Sequence, residues 1–302
     1  MTMDGRAWLL LIVLSVLWGG TFFFIGVAIR ELPPMTIVFI RLAVAAAVLV
    51  PLGFWAGISF PSTRREWSTY IGLAICNTVV PFTLAAAAQL YITSSLTSVL
   101  NATIPVFTVI VLALFREEAL TPRRIAAVVA GLLGVIVLRG FGLSIDTGQT
   151  IGILLILSSA MLFGLSSVWV KRRLAGIPPI ASAAYQCFCG AILMIPLMAL
   201  IDRPWLLPMP HITTWLSVVI GLGIFSTALG FLLFFRIMET SGPSNAMLVT
   251  LLVPVSAIML GHFVLGDRLE IQHIVGALII GLSLVIMDGR ILRLFSRTSG
   301  GA

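Results

Sequence analysis

The sequence predicts an all-α integral membrane protein: ten transmembrane helices arranged as two inverted five-helix repeats. Three observations carry that expectation. The 302 residues are 60% hydrophobic and only 10% charged, with a mean hydropathy of +1.15, whereas soluble domains are about 25% charged. Ten apolar runs, most of them long enough to cross a bilayer, follow one another with short connections. The second half of the chain repeats landmarks of the first in register. Such a composition excludes a soluble enzyme, a disordered chain and a nucleic-acid binder, because so little polar material cannot cover a water-exposed surface.

The runs cover residues 7–29, 34–56, 67–90, 94–115, 123–139, 150–170, 178–201, 212–235, 243–264 and 271–288. Charge, proline or glycine bounds each one. Arg6 precedes the first and Arg30-Glu31 follows it; its 23 residues exceed the apolar core of a secretion signal, so it is read as an uncleaved first helix. Pro33-Pro34 opens the second and Pro178-Pro179 the seventh. Arg64-Arg65-Glu66 precedes the third, Arg116-Glu117-Glu118 closes the fourth, and Lys171-Arg172-Arg173 closes the sixth. The fifth and tenth runs are the shortest. All must be helical, since a lipid-facing backbone has no water to satisfy its N–H and C=O groups. None shows the roughly ten-residue alternation of a transmembrane strand.

Basic residues set the orientation. With the N-terminus in the cytoplasm, 13 of the 18 Lys and Arg fall on cytoplasmic segments, four on the opposite ones, and Arg41 lies inside a helix. That bias places both termini in the cytoplasm and makes the helix count even. It also accounts for the net charge of +7 without an acidic partner. Trp8, Trp55, Trp67, Trp169, Trp205 and Trp215 lie near run ends, at headgroup level, whereas Trp18 falls near mid-membrane. Cys76, Cys187 and Cys189 sit inside apolar runs and read as small buried hydrophobes.

At an offset of 145 residues, Gly19 meets Gly164, Pro33-Pro34 meets Pro178-Pro179, and Pro51 meets Pro196. At an offset of 149, Ser95 meets Ser244, Pro105-Val106 meets Pro254-Val255, Leu120 meets Leu269, Ile125 meets Ile274 and Gly140 meets Gly289. Residues 1–145 and 146–290 therefore form two repeats, followed by a short basic cytoplasmic tail at 291–302. Five helices per repeat is an odd number, so the second repeat enters the membrane from the opposite side, as in many secondary transporters.

Certain stretches add a family resemblance. The first helix reads Trp18-Gly19-Gly20-Thr21-Phe22 and the second Phe39-Ile40-Arg41-Leu42. The fourth ends in Arg116-Glu117-Glu118-Ala119-Leu120, before a helix containing Gly131 and Gly134. That ending recurs as Leu265-Gly266-Asp267-Arg268-Leu269, followed by Gln272, Gly276 and Gly281. In this the chain resembles EamA-type members of the drug/metabolite transporter superfamily, over almost its whole length. The resemblance implies a location in the inner membrane and export of amino acids or other small metabolites. It also implies a cavity walled by helices 1–4 and 6–9. The repeats differ where it matters: Gln186 stands where the first has Arg41, and Phe163 where it has Trp18.

Polar groups inside apolar spans are costly and mark candidate positions on the pathway. Ser94, Thr97, Ser98, Asn101 and Thr108 recur at helical spacing on the fourth helix and form either a cavity wall or interhelical hydrogen bonds. Pro105 frees the carbonyl near Asn101. Thr250 is the repeat mate of Asn101. Asn77 and Gln89 share a face of the third helix. Arg41 is the basic residue deepest in a span; it either snorkels outward or offers a fixed positive charge to a substrate carboxylate. Trp18 and Phe22 are candidates for apolar contacts, and Tyr185-Gln186 is the repeat counterpart of Ile40-Arg41.

All eleven carboxylates fall in connections or at helix ends, which disfavours a proton relay through a buried acid and favours facilitated export. There is no P-loop, metal cluster, H-E-x-x-H or G-x-S-x-G, so no cofactor, metal or enzymatic activity is expected. The glycines of the fifth helix predict close packing, within the fold or in a homodimer through helix 5 or 10. The expected function is a secondary transporter exporting small amphipathic metabolites, amino acids foremost, by alternating access, with membrane lipid as its surroundings. The alternatives are a non-transporting membrane scaffold or an intramembrane enzyme acting on lipid.

Overall fold

In a computed structural model of the chain, residues 5–139, 147–241, 249–268 and 270–288 are described. The tail at 291–302, the carboxylates Asp4 and Asp146, the arginines 290, 293 and 297, and the repeat landmarks Gly140, Ser244, Leu269 and Gly289 lie outside those residues.

All regular structure among the described residues is helical. Helix α1 is Gly5–Ala28, α2 Pro34–Trp55, α3 Arg64–Ala88, α4 Ser94–Leu114 and α5 Pro122–Arg139. Helix α6 is Thr147–Arg173 and α7 Pro179–Asp202. Helix α8 runs through Ile212–Leu216, Ser217–Leu229 and Gly230–Ser241. Helix α9 is Val249–Leu260 continued by Gly261–Leu265, and α10 is Ile271–Asp288. Local chemistry fixes several starts. Pro34 and Pro179 occupy first-turn positions, where a missing N–H is harmless. Thr63 and Glu66 cap α3 reciprocally: Thr63 N–H donates to Glu66 Oε2 at 2.9 Å and Glu66 N–H to Thr63 Oγ1 at 3.2 Å.

Seven helices, α1–α4 and α6–α8, are long and apolar enough to cross a membrane. Two shorter apolar helices, Leu252–Leu265 and Ile271–Ile286, accompany them. Helix α5 has the length, 18 residues, but carries Arg123, Arg124 and Arg139. The run expected at 67–90 begins three residues earlier because the Thr63 cap sits ahead of the arginines. Helix α4 is interrupted at Ala102–Thr103, just before Pro105, which cannot donate to the Asn101 carbonyl. Large side chains such as Trp55, Leu114 and Leu278 stand on the outer surface at 87%, 74% and 67% exposure. In water they would be a liability; in lipid they are ordinary.

Helices α2 and α7 pack against each other at the centre, where Leu42, Ala45, Leu49, Ala184, Cys187 and Met194 belong to one buried cluster. Around that pair, α1 packs on α9 and α8, α6 packs on α4 and α3, α2 also meets α8, and α7 meets α3. Helices α5 and α10 pack on each other. Their glycines face inward: a Cβ on Gly276 would stand 2.9 Å from the Gly134 carbonyl oxygen, and one on Gly134 3.1 Å from that of Gly276. The close-packing face of α5 is thus occupied by α10 of the same chain.

The connections 29–33, 89–93, 203–211 and 266–268 gather at one end of the bundle. The connections 56–63, 115–121 and 174–178 gather at the other.

Candidate substrate site

Two stretches of π-helix frame the site. Ile75–Val79 in α3 and Ser217–Leu229 in α8 hydrogen-bond in the wider i→i+5 pattern. The extra residue turns the following side chains off the regular helix face, and such turns recur at functional positions. Each stretch holds a polar junction.

At the first junction Arg41, on α2, is only 6% exposed. Its Nε donates to Thr227 Oγ1 on α8 at 2.7 Å, and that hydroxyl donates to the Leu222 carbonyl at 2.7 Å. The guanidinium carbon stands 3.8 Å from the ring centroid of Phe82 on α3. Phe82 in turn meets Phe163 of α6, with centroids 6.3 Å apart. Among the described residues no carboxylate lies within ion-pair distance of Arg41. A buried cation without an anion is unfavourable; the ring face offsets part of that cost, about 0.5–2 kcal/mol.

At the second junction Asn77 Nδ2 donates to Gln186 Oε1 at 2.8 Å, and Ser166 Oγ donates to Asn77 Oδ1 at 2.9 Å. The amide orientations follow from that network. Gln186 is 3% exposed. Leu42 and Cys187, the residues after Arg41 and Gln186, share one buried cluster with Val79 and Ala228, so the junctions flank the same core. One presents a planar cation suited to bidentate carboxylate recognition. The other presents neutral amides.

The remaining candidates lie as follows. Trp18 packs on Phe234 of α8, with centroids 5.3 Å apart, and close against Gly230. Phe22 is buried with Leu11, Leu14, Ile237 and Val253, in the packing of α1 on α8 and α9. Gln89 Oε1 accepts from Ser94 Oγ at 2.9 Å, while its Nε2 is buried without a partner among the described residues. Asn101 is half-buried at the break in α4 and makes no hydrogen bond to another described side chain. Tyr185 donates to the Ser59 carbonyl at 2.9 Å and meets Phe60 edge-on and Tyr70 at a tilt, toward the end of the bundle holding connection 56–63. Thr250 is half-buried on α9. The hydroxyl stripe of α4 mostly bonds its own backbone: Thr97 to Thr93 O, Ser98 to Ser95 O and Thr108 to Ile104 O. Such back-bonding is a third outcome beside a cavity wall and interhelical bonding.

Three residues of the junctions escaped sequence reading: Thr227, Ser166 and Phe82. A signal existed for the first, since Thr227 lies 149 residues after Thr78, the register already seen between the repeats. Away from the junctions, a hollow of about 280 Å³ lined by Ile110, Leu114, Leu120, Ile125 and Val129 lies on the apolar outer surface between α4 and α5. At the basic end of the bundle, Glu117 bridges to Arg172 Nε at 2.6 Å and Lys171 Nζ at 3.6 Å. The Arg172 bond, with the charges of Arg172 and Lys171, outweighs the opposing cost of burial and holds its carboxyl below the usual range.

An all-helical bundle with this many apolar, outward-facing helices and a polar centre is a multi-pass membrane protein. The sequence profile of the EamA-like transporter family matches residues 6–140 and 150–287. The chain belongs to that family. It is 24% identical over 288 residues to an uncharacterized transporter of Archaeoglobus fulgidus, covering 93% of this chain and 98% of the relative. It is 26% identical over 266 residues to the uncharacterized inner membrane transporter YedA of Escherichia coli K12, covering 86% and 83%. A crystal structure of a protein 21% identical superposes with a TM-score of 0.67, covering 97% of this chain and 99% of that one, which shows a shared fold.

Proposed function

We propose that this chain is a secondary transporter exporting small amphipathic metabolites that carry a carboxylate, amino acids foremost, by alternating access across the inner membrane. One observation carries the reading: Arg41 is buried at the centre of the bundle with its Nε held by Thr227, its face held by Phe82, and no carboxylate partner among the described residues. A substrate carboxylate supplies the missing anion. The Asn77–Gln186–Ser166 network across the core supplies polar contacts, and Phe82 and Phe163 supply apolar wall. Trp18, Phe22, Gln89, Asn101, Tyr185 and Thr250 are the remaining proposed substrate contacts.

Two inverted repeats of five helices, 1–145 and 146–290, supply the mechanism. The pairing of helices supports this. Exchanging each helix for the one five places on turns α1–α9 into α6–α4, α1–α8 into α6–α3 and α2–α8 into α7–α3, and leaves α2–α7 and α5–α10 unchanged. The family profile also matches in two successive stretches. Cytoplasmic placement of both termini rests on the basic-residue bias.

The test is counterflow of a panel of labelled amino acids and matched amines in proteoliposomes. Export of amino acids that disappears when the carboxylate is amidated supports the reading. Equal transport of acid and amide, or no transport of any panel member, sinks it.

A further inference from the structure

Three carboxylates at one end of the bundle do the same thing. Asp202, at the end of α7, accepts from the Thr36 N–H at 2.6 Å and the Thr36 hydroxyl at 2.8 Å, both on Oδ2. Asp267, after α9, accepts from the Ser95 N–H at 2.9 Å and the Ser95 hydroxyl at 2.8 Å, again on one oxygen. Glu31, after α1, accepts on Oε2 from the His211 N–H at 2.8 Å and the Thr214 hydroxyl at 2.8 Å, while Oε1 meets the His211 ring at 2.5 Å. Each oxygen therefore caps the first turn of a helix to which it is not joined: α2, α4 and α8. Ordinary caps come from the residue just before the helix. These come from across the molecule.

The partners share a second property. Glu31, Thr36 and Ser95 belong to the first half of the chain; His211, Thr214, Asp202 and Asp267 belong to the second. All three sets of contacts cross the seam between the halves. At the opposite end no carboxylate caps a helix of the other half in this way among the described residues: Lys171 and Arg172 meet Glu117, and Tyr185 and Trp169 donate to the Ser59 and Thr69 carbonyls.

We propose that Glu31, Asp202 and Asp267 are latches that hold this end of the bundle closed, and that the end opens by releasing the first turns of α2, α4 and α8 together. The inference rests on the alternating-access reading and adds its gate. When a latch opens, a backbone N–H and a hydroxyl lose their anion at once, so closure is cooperative across helices that do not adjoin in sequence. Each lost cap shifts the ratio of open to closed roughly fivefold.

The charged and titratable groups around the latches are few. His211 and Arg30 neighbour Glu31, Arg203 follows Asp202, and Arg268 follows Asp267, whose own carbonyl meets His262 Nδ1 at 2.9 Å. The Thr214 hydroxyl, then the His211 N–H and ring, hold the Glu31 carboxyl below its ordinary value. A group lowered in the closed state stabilises closure above the ordinary carboxylate range and loses that effect only as pH falls through the lowered value. The Glu31 carboxyl therefore stays charged throughout neutral pH, so pH changes within that range do not release the latch.

Paired spin labels test the gate without substrate, so failure here and failure of the carboxylate reading are separate results. Labels go on cysteines introduced at the exposed Leu90 and Met209, one in each half at the latched end, with Cys76, Cys187 and Cys189 changed to alanine. A control pair at the exposed Ser62 and Ala175 reports the opposite end. The parent chain is expected to give one short Leu90–Met209 distance from pH 6 to pH 8. The combined Glu31→Gln, Asp202→Asn and Asp267→Asn variant is expected to move most molecules to a longer distance at this pair, without lengthening the control pair. Asp202→Asn and Asp267→Asn alone should each give a partial shift, which serves if the triple variant does not fold, and Asp202→Glu should restore the short distance. Distances that coincide in parent and variants overturn the proposal. So does equal broadening of both pairs, which marks a merely structural role.

Discussion

The Arg41 and Gln186 junctions occupy matching places in the two halves of the chain, yet they are built from different chemistry. Each sits on one helix of the central α2–α7 pair and faces a π-helical stretch of a neighbour. One is a lone cation on a hydroxyl and a ring; the other is a closed set of neutral hydrogen bonds. A repeated fold supplies symmetric positions for a mechanism, while the residues placed there are free to diverge. A pocket made of two identical junctions would treat both ends of a substrate alike. On the proposed reading, this one distinguishes an anionic end from a polar, uncharged one.

Removing the difference is expected to have the largest effect. Arg41→Gln makes the junctions alike and leaves nothing to pair a carboxylate. A hydrogen bond to a charged group contributes about 1.5–3 kcal/mol, so uptake of an amino acid into inside-out vesicles should fall about tenfold to a hundredfold, with amine substrates spared. Arg41→Lys should recover part of the rate, because an ammonium keeps the charge but not the planar fork held by Thr227 and Phe82. Full activity of Arg41→Gln would show that the cation is structural.

Disturbing the neutral junction comes next. Gln186→Leu strands Asn77 Nδ2 beside an apolar side chain. An unsatisfied buried donor costs about 1–3 kcal/mol, and Asn77 is half-buried, so the melting temperature should drop by an amount that reflects the low end of that cost, and selectivity among amino acids of different side-chain polarity should change. Loss at Arg41 is expected to act on carboxylate recognition, and loss at Gln186 on both stability and recognition. If the two variants behave alike in both assays, the functional distinction between the junctions fails.

Much of this was legible in the chain, for physical reasons. Membrane spans announce themselves because lipid tolerates few polar side chains, and Pro33-Pro34 and Pro178-Pro179 mark helix starts because proline is harmless there. Arg41 stood out because a span cation is rare. The partners of Arg41 did not, since a threonine and a phenylalanine in an apolar run are ordinary until tertiary packing brings them together. The π-helical stretches left no residue signature either: nothing in Ile75–Val79 differs in composition from regular helix. The latch carboxylates were visible as acids at helix ends, but their partners lie 166 to 183 residues away.

Helix packing away from the junctions should be sensitive too, but in a different quantity. Gly276→Val places a Cβ 2.5 Å from Leu138 Cγ and 2.9 Å from the Gly134 carbonyl oxygen. Overpacking of this kind costs about 1–3 kcal/mol. Thermal unfolding should shift downward while transport per folded molecule stays at the parent level, because α5 and α10 touch neither junction. A transport defect without a stability defect would place the α5–α10 pair on the pathway.

Asn101 gives the smallest expected effect and the finest test of the comparison. It sits where α4 breaks before Pro105, half-buried, with its amide bonded to no other described side chain. Asn101→Ala therefore deprives no protein group of a partner, and the stability change should stay within about 0.5 kcal/mol. If the amide meets substrate, the loss is one neutral hydrogen bond of about 0.5–1.5 kcal/mol, which raises KM about two- to tenfold at unchanged kcat when substrate and transition state lose it equally. A fall in melting temperature with KM unmoved would instead make Asn101 part of the helix break, and the polar contacts of the pathway would then reduce to the two junctions.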